Sequence, residues 1–167
     1  MTGTRSANTG EARPRAAFAA ALAELDGRCN ATAARRATRY LTASYDKALA
    51  PVDLRTTQFN ILHRLALAGK TTITALAQVS AMDRTTLATN LKPLERDGLL
   101  AIRASDADRR ARVVEITEAG LARLEKAVPL WRSAQDRFED AFGEADAAEL
   151  RAALRAVLVT GFDPWAE

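Results

Sequence analysis

"MDRTTLATNLKPLERDGLL", residues 82–100, has the leucine spacing of a helix and the composition of a poor one. Threonine is a mediocre helix former, and a proline in a helix interior costs about 3 kcal/mol. Projected at about 100° per residue, Leu87, Leu91 and Leu94 fall on one stripe. Thr85, Thr89, Lys92 and Arg96 fall opposite, with Arg84, Thr86 and Asn90 beside them. Asp83 is placed to cap the helix start and Gly98 to close its end. Pro93 denies the Thr89 carbonyl its usual donor, so a kink is expected there. Hydroxyls and an amide can donate and accept toward base edges and phosphates, and a threonine methyl can meet a thymine methyl. Short side chains of this kind let a helix lie deep in a major groove. The leucine stripe, packed on neighbouring helices, then supplies the stability that the polar face does not.

The flanking sequence provides those neighbours. "LRTTQFNILHRLALAG" (54–69) is expected to be a helix with Thr56 as its N-cap, Phe59, Ile61, Leu62, Leu65 and Leu67 as apolar positions, and Gly69 at its exit. "TTITALAQVSA" (71–81) reads as a strand residue or two and then a two-turn helix, Thr74 to Val79, ending in a turn at Ser80-Ala81-Met82. After Gly98 the pattern switches to period two. Leu100, Ile102 and Ala104 alternate with Leu99, Ala101 and Arg103, and Val113, Val114 and Ile116 form a return strand. Between them "SDADRRAR" is a charged hairpin tip in which Arg109 and Arg110 follow Asp106 and Asp108, with Arg112 at its base. Helix, turn, helix and a basic-tipped hairpin make a winged helix-turn-helix. Taken singly, the polar helix could be an ordinary solvated face. The hairpin that follows decides between the two.

On either side lie longer helical patterns. "PRAAFAAALAEL" (14–25) is alanine-rich and is expected to break at Asp26-Gly27. From Ala31 to Leu49 apolar positions recur at three and four, and Ala50-Pro51 ends the pattern. Thr117-Glu118-Ala119-Gly120 opens a helix bearing Leu121, Leu124, Val128, Trp131, Phe138 and Phe142; a last one after Gly143 bears Leu150, Leu154, Val157 and Leu158. These helices carry more apolar positions than one small lobe covers, which implies a partner surface, most simply a twofold homodimer. The fold class is mainly α (α+β). Residues 1–13 read as a disordered arm, 14–53 as N-terminal dimerisation helices, 54–116 as the winged helix-turn-helix lobe and 117–167 as C-terminal dimerisation helices.

Charge is distributed unevenly. Residues 1–83 carry a net +5, residues 84–112 a net +3 and residues 117–167 a net −4. A basic front and an acidic rear fit a polyanion met on one side. No apolar run reaches the about 18 residues needed to span a bilayer, and the first residues lack an apolar signal core, so a cytoplasmic location is expected. A single cysteine excludes an internal disulfide framework. One histidine with one cysteine argues against a dedicated metal site, and no cofactor loop or nucleophile–base arrangement marks an enzyme.

On "LRTTQFNILHRLA", "MDRTTLATNLKPLERDGLL" and "SDADRRARVVEITEAG", the chain from about Cys29 to Leu158 resembles the MarR family of bacterial transcription regulators. That resemblance implies a triangular homodimer built by the first and the last two helices. It also implies binding to a pseudo-palindromic operator, usually as a repressor released by a small molecule or by oxidation. The family's recognition helix corresponds to residues 84–97 and its wing tip to 105–112. The residues expected to meet DNA are Arg84, Thr85, Thr86, Thr89, Asn90, Lys92, Arg109, Arg110 and Arg112. Relatives often place a basic residue where this chain has Thr89.

Two features could carry a trigger. His63, with Arg39 and Trp131, could line a pocket for a phenolic or aromatic effector, although a histidine at a core boundary is more commonly satisfied by a backbone carbonyl. Cys29, beside Arg28 and with Asn30 as a candidate cap, could be a thiolate at a helix start, although a free cysteine is more commonly buried and inert. Its place resembles that of the sensing cysteine in the family's hydroperoxide-responsive branch. That branch has a tyrosine one turn downstream, where this chain has Ala33; Tyr40 lies roughly 16 Å along the helix. A winged helix used for protein–protein contact, with no operator, is the remaining alternative.

Overall fold

The structure, a computed structural model, describes residues 16–105 and 111–161. It divides between Leu41 and Thr42 into two compact units. The first holds α1 (Ala16–Arg28) and the leading part of α2 (Asn30–Leu49). The expected break at Asp26-Gly27 does not occur. Alanine carries α1 through to Arg28, and glycine in an exposed helical position costs only about 1 kcal/mol. The single interruption is Cys29, and helical bonding passes through it. Its amide donates to the Leu25 carbonyl at 3.1 Å and its carbonyl accepts from the Ala33 amide at 3.0 Å. Phe18, Leu22 and Leu25 are exposed along α1.

The second unit begins within α2, which ends, as its Ala50-Pro51 requires, in a 3-10 turn over Ala50–Val52. Then follow α3 (Thr56–Ala68), β1 (Thr71–Thr72), α4 (Ile73–Val79), α5 (Arg84–Arg96), β2 (Leu100–Ala104), β3 (Arg112–Ile116), α6 (Glu118–Phe142) and α7 (Glu144–Val157). The sheet is antiparallel in the order β1-β3-β2, with Leu100 opposite Ile116, Ile102 opposite Val114 and Ala104 opposite Arg112. Thr71 and Thr72 pair with Val114 and Val113, which ties β1, just before α4, to the wing.

One core joins α3, α4, α5, β2, β3 and α6. Leu62 and Leu65 from α3, Leu76 from α4, Leu87, Leu91 and Leu94 from α5 and Val114 from β3 are fully enclosed, with Leu49, Leu99, Leu100 and Leu124 around them. α5 continues unbroken through Pro93 to Arg96. α4 starts at Ile73 rather than Thr74, because the Thr72 hydroxyl accepts from the Ala75 amide at 3.1 Å and so caps the helix one residue earlier.

The start of α3 also differs from the sequence expectation. Arg55, not Thr56, holds the capping position, and its amide donates to Gln58 Oε1 at 2.8 Å. The carboxylate that completes this cap comes from α2. Asp46 Oδ1 accepts from the Thr56 amide at 2.7 Å and from its hydroxyl at 2.8 Å, and Oδ2 accepts from Arg55 at 3.2 Å. Burial works to raise the Asp46 carboxyl; the bonds from Thr56 and Arg55 outweigh it and hold the group below the usual carboxylate value. A carboxyl depressed in the folded state stabilises fully above its unfolded pKa of about 3.9, and that contribution fades as pH falls through the folded value. Asp46→Ala is therefore expected to cost about 1–2 kcal/mol at pH 7, the worth of a strong helix cap. Urea titrations stepped down from pH 7 should show the gap between wild type and variant narrowing once the pH passes below about 4. A gap of constant size would refute the capping role.

Two further contacts fix α6. Thr117 accepts from the Gly120 amide at 3.1 Å, while its hydroxyl donates to the Gly98 carbonyl at 2.7 Å and its amide to the Leu99 carbonyl at 3.1 Å. Arg123 donates to the Val52 carbonyl at 2.8 Å, fastening α6 to the turn between α2 and α3. Farther along, Tyr45 donates to Gln135, Gln135 donates to Glu139 at 2.8 Å, and Arg151 of α7 pairs with the same carboxylate at 2.7 Å. Burial, with the Glu139 charge, raises the Tyr45 phenol above its ordinary value, and Arg151 opposes the shift. Among the described residues no helix is long and apolar enough to cross a membrane.

Candidate nucleic-acid interface

Asp83 opens α5. Its Oδ1 accepts from the Thr86 amide at 2.8 Å and its Oδ2 from the Thr86 hydroxyl at 2.6 Å. The Thr86 hydroxyl, then the Thr86 amide, hold the Asp83 carboxyl below its usual value, so the cap is charged at neutral pH. The leucine stripe turns inward and leaves Arg84, Thr85, Thr86, Thr89 and Lys92 exposed; Asn90 is half-buried. These residues occupy one continuous polar face, as their spacing requires.

That face is more constrained than the sequence indicates. Three of its groups spend a donor on the helix itself. Thr86 donates to Asp83, Thr89 donates to the Thr85 carbonyl at 3.0 Å, and the Asn90 amide donates to the Thr86 carbonyl at 2.9 Å. Their oxygen lone pairs and the threonine methyls remain to face a ligand. Arg84 and Lys92 have no carboxylate partner among the described residues. Arg96, on the same stripe, is committed to Asp97 at 2.9 Å.

In the wing, Arg112 is exposed at the base of the hairpin, and Arg103 reaches Glu115 at 3.7 Å. The Ser105 amide donates to the Ala111 carbonyl at 2.9 Å and closes the last described rung. Arg109 and Arg110, with Asp106 and Asp108, lie outside the described residues.

Two clefts flank α5. One, of about 340 Å³, lies among Asp53, Arg55, Gln58, Arg96 and Asp97. Its two arginines are matched locally, Arg55 to Asp46 and Arg96 to Asp97. The other, of about 200 Å³, is lined by Thr57, Asn60, Ile61 and Arg64 of α3 and by Ser80 and Met82 of the turn before α5. The polar row 57, 60, 64 has helical spacing and was visible in the sequence, but only the fold brings it beside the start of α5.

The residues considered for a trigger are placed as follows. His63 is exposed; its ring lies 6.4 Å from that of Phe59 and is nearly parallel to it. Trp131, half-buried on α6, lies 6.1 Å from the same phenyl ring. Arg39 is exposed in the first unit. Cys29, rather than Asn30, takes the position before α2. The Thr32 hydroxyl donates to its Sγ at 3.2 Å. That bond first, then the Thr32 amide, lowers the thiol pKa below its ordinary value. Among the described residues no group of three histidine, cysteine or carboxylate side chains could hold a metal ion.

The sequence model described as MarR family matches residues 52–111, the segment from the 3-10 turn to the wing. Among solved structures, the chain is similar to the Mycobacterium tuberculosis transcriptional regulator MosR in complex with DNA. It is 38% identical, with a TM-score of 0.66, over 78% of this chain and 98% of that one. It is also similar to the transcriptional repressor CouR bound to a 23-mer DNA duplex, at 27% identity and a TM-score of 0.72, over 80% and 94% of the two chains. Escherichia coli MarR C80S with operator DNA shares the fold at 20% identity, with a TM-score of 0.72, over 81% and 97%. No curated protein matches the chain.

Proposed function

This chain belongs to the MarR family of transcriptional regulators, and on that premise we propose that it binds a pseudo-palindromic operator as a homodimer and represses transcription until a phenolic or aromatic effector releases it. The observation that carries the reading is the build of α5. A fully buried leucine stripe holds an exposed face of small polar side chains, flanked by two cations with no carboxylate partner among the described residues. The related regulators MosR and CouR are both seen with DNA. In this proposal residues 54–116 are the DNA-binding lobe. Arg84 and Lys92 meet phosphates, Thr85, Thr86, Thr89 and Asn90 meet base edges, and Arg109, Arg110 and Arg112 serve the wing.

The dimer is supported by exposed apolar residues where a partner would sit. Phe142, Leu154, Val157, Leu158 and Val159 are uncovered toward the end of the chain, and Phe18, Leu22 and Leu25 are uncovered on α1. An effector would meet an aromatic group, Phe59 with His63 and Trp131, that can stack a planar ring.

Binding assays on the DNA upstream of the chain's own gene separate the roles. Arg112→Ala and Arg110→Ala should weaken binding to every duplex alike and flatten its salt dependence. Thr85→Ala or Asn90→Ala should instead change which sequence is preferred, by about 1–3 kcal/mol of discrimination per lost base contact. Unchanged operator binding in all four variants would show that helix and wing are wrongly assigned. A winged helix that contacts only protein would show no such salt dependence.

A second reading, a thiol switch, is favoured by one observation: the Cys29 sulfur accepts a hydrogen bond that stabilises its thiolate. Under it, hydroperoxide releases the operator from wild type and leaves Cys29→Ser bound. Release that persists in Cys29→Ser eliminates the switch.

A further inference from the structure

We propose that the cleft between α3 and the α4–α5 turn is a seat for a backbone phosphate of the bound DNA, held chiefly by Arg64. The inference rests on the operator-binding reading and adds to it a contact outside both α5 and the wing.

Four observations converge on this cleft. Its polar lining consists of groups able to donate: the Arg64 guanidinium, the Asn60 amide and the hydroxyls of Thr57 and Ser80. Among the described residues no carboxylate lines it, and Arg64 is exposed with no ion pair. The Ser80 oxygen is buried with no hydrogen-bond partner among the described residues, an uncommon state for a hydroxyl in native proteins. Finally, Ser80 and Met82 immediately precede Asp83 and Arg84, so the cleft opens beside the end of α5 that leads into a groove.

An oxyanion is the ligand such a set selects, since its oxygens accept from every one of these groups and a guanidinium binds it with two parallel bonds. The neighbouring larger cleft shows the contrast. It also contains two arginines, but each is already paired with an aspartate, and Asp53 adds further negative charge. The phosphate most readily brought to the start of a recognition helix is one on the strand edging the major groove. Contacts of that kind fix the register of a protein on the duplex without reading its sequence. In this arrangement Arg64 sets how α5 enters the groove, and Thr85 and Asn90 read what lies within it.

The test measures operator affinity of the full chain by fluorescence anisotropy over a range of KCl concentrations, for wild type, Arg64→Ala and Arg64→Lys. Loss of one phosphate contact lowers the slope of log affinity against log salt by about 0.9, or roughly 1.8 for two protomers on one operator. Arg64→Ala is expected to show that loss and Arg64→Lys to recover most of it. The preference for operator over scrambled duplex should be the same in all three. A second arm compares inorganic phosphate with chloride at matched ionic strength by thermal unfolding. Should phosphate raise the melting temperature of wild type but not of Arg64→Ala while the DNA slope is unaltered, the seat serves a free anion and the DNA assignment is overturned. An unaltered slope in Arg64→Ala, with wild type still preferring its operator, likewise overturns this inference and leaves the functional reading intact. A wild type with no operator preference overturns both.

Discussion

Gly120→Ala is expected to destabilise the protein by about 3 kcal/mol or more, the upper range for an overpacked core, and to lower its melting temperature by roughly 10 °C. A Cβ at this position would lie 2.0 Å from the Leu99 carbonyl oxygen and 2.7 Å from Ile116 Cγ1. The first of these is backbone and cannot swing aside. It is also held in place, because the Leu99 carbonyl accepts from the Thr117 amide and the adjacent Gly98 carbonyl accepts from the Thr117 hydroxyl. The added methyl therefore pushes the start of α6 off Leu99, the residue that leads into β2. Gly27→Ala is the matched control. Nothing lies within 4 Å of its added carbon, and alanine in a helix should be neutral or slightly stabilising there. Calorimetry on the two variants gives opposite signs if the close approach is real. Equal melting temperatures would show that α6 does not press on the Leu99 carbonyl.

The second large effect concerns the exposed apolar end of the chain. Leu154 and Val157 are 48% and 62% exposed on α7, one turn apart on the same face. Within one protomer they bury little, so converting both to aspartate should leave the fold of the protomer intact. At a subunit interface the same change places four charges against apolar surface. Leu154→Asp with Val157→Asp is expected to yield a monomer by sedimentation and to weaken operator binding about 100-fold or more. A second half-site engaged by a tethered partner contributes that much through effective concentration alone. A double variant that remains dimeric and binds as wild type would remove α7 from the interface.

Much of the DNA-binding lobe was legible in the sequence because its signals are local. The spacing of Leu87, Leu91 and Leu94 predicted the buried stripe, and all three are fully enclosed. Asp83 caps α5 and Thr117 caps α6 through bonds to residues three positions on, within reach of a local motif. The switch from a helical period to alternation after Gly98 marked the paired strands β2 and β3.

What was misread depends on contacts from elsewhere in the chain. Thr56 has the right chemistry for a cap, but Asp46, ten residues earlier, supplies the carboxylate and Arg55 becomes the boundary. Asp26-Gly27 has the composition of a turn, but alanine on one side and continued helical bonding past Cys29 on the other override it. On the polar face of α5, residue identity revealed the available groups. It did not reveal that Thr86, Thr89 and Asn90 each turn a donor back onto Asp83 or the helix backbone. The importance of Gly120 and the cleft around Arg64 likewise exist only once α6 meets Leu99 and α3 meets Ser80.

The decisive measurement is the affinity of the purified chain for duplexes carrying two operator half-sites at varied separation. Paired α5 helices on one dimer predict tight binding when the half-site centres lie about 34 Å apart, one turn of the duplex, and its loss when about half a turn of DNA is inserted between them. Affinity that ignores both the separation and the sequence of the half-sites would contradict the account at its root.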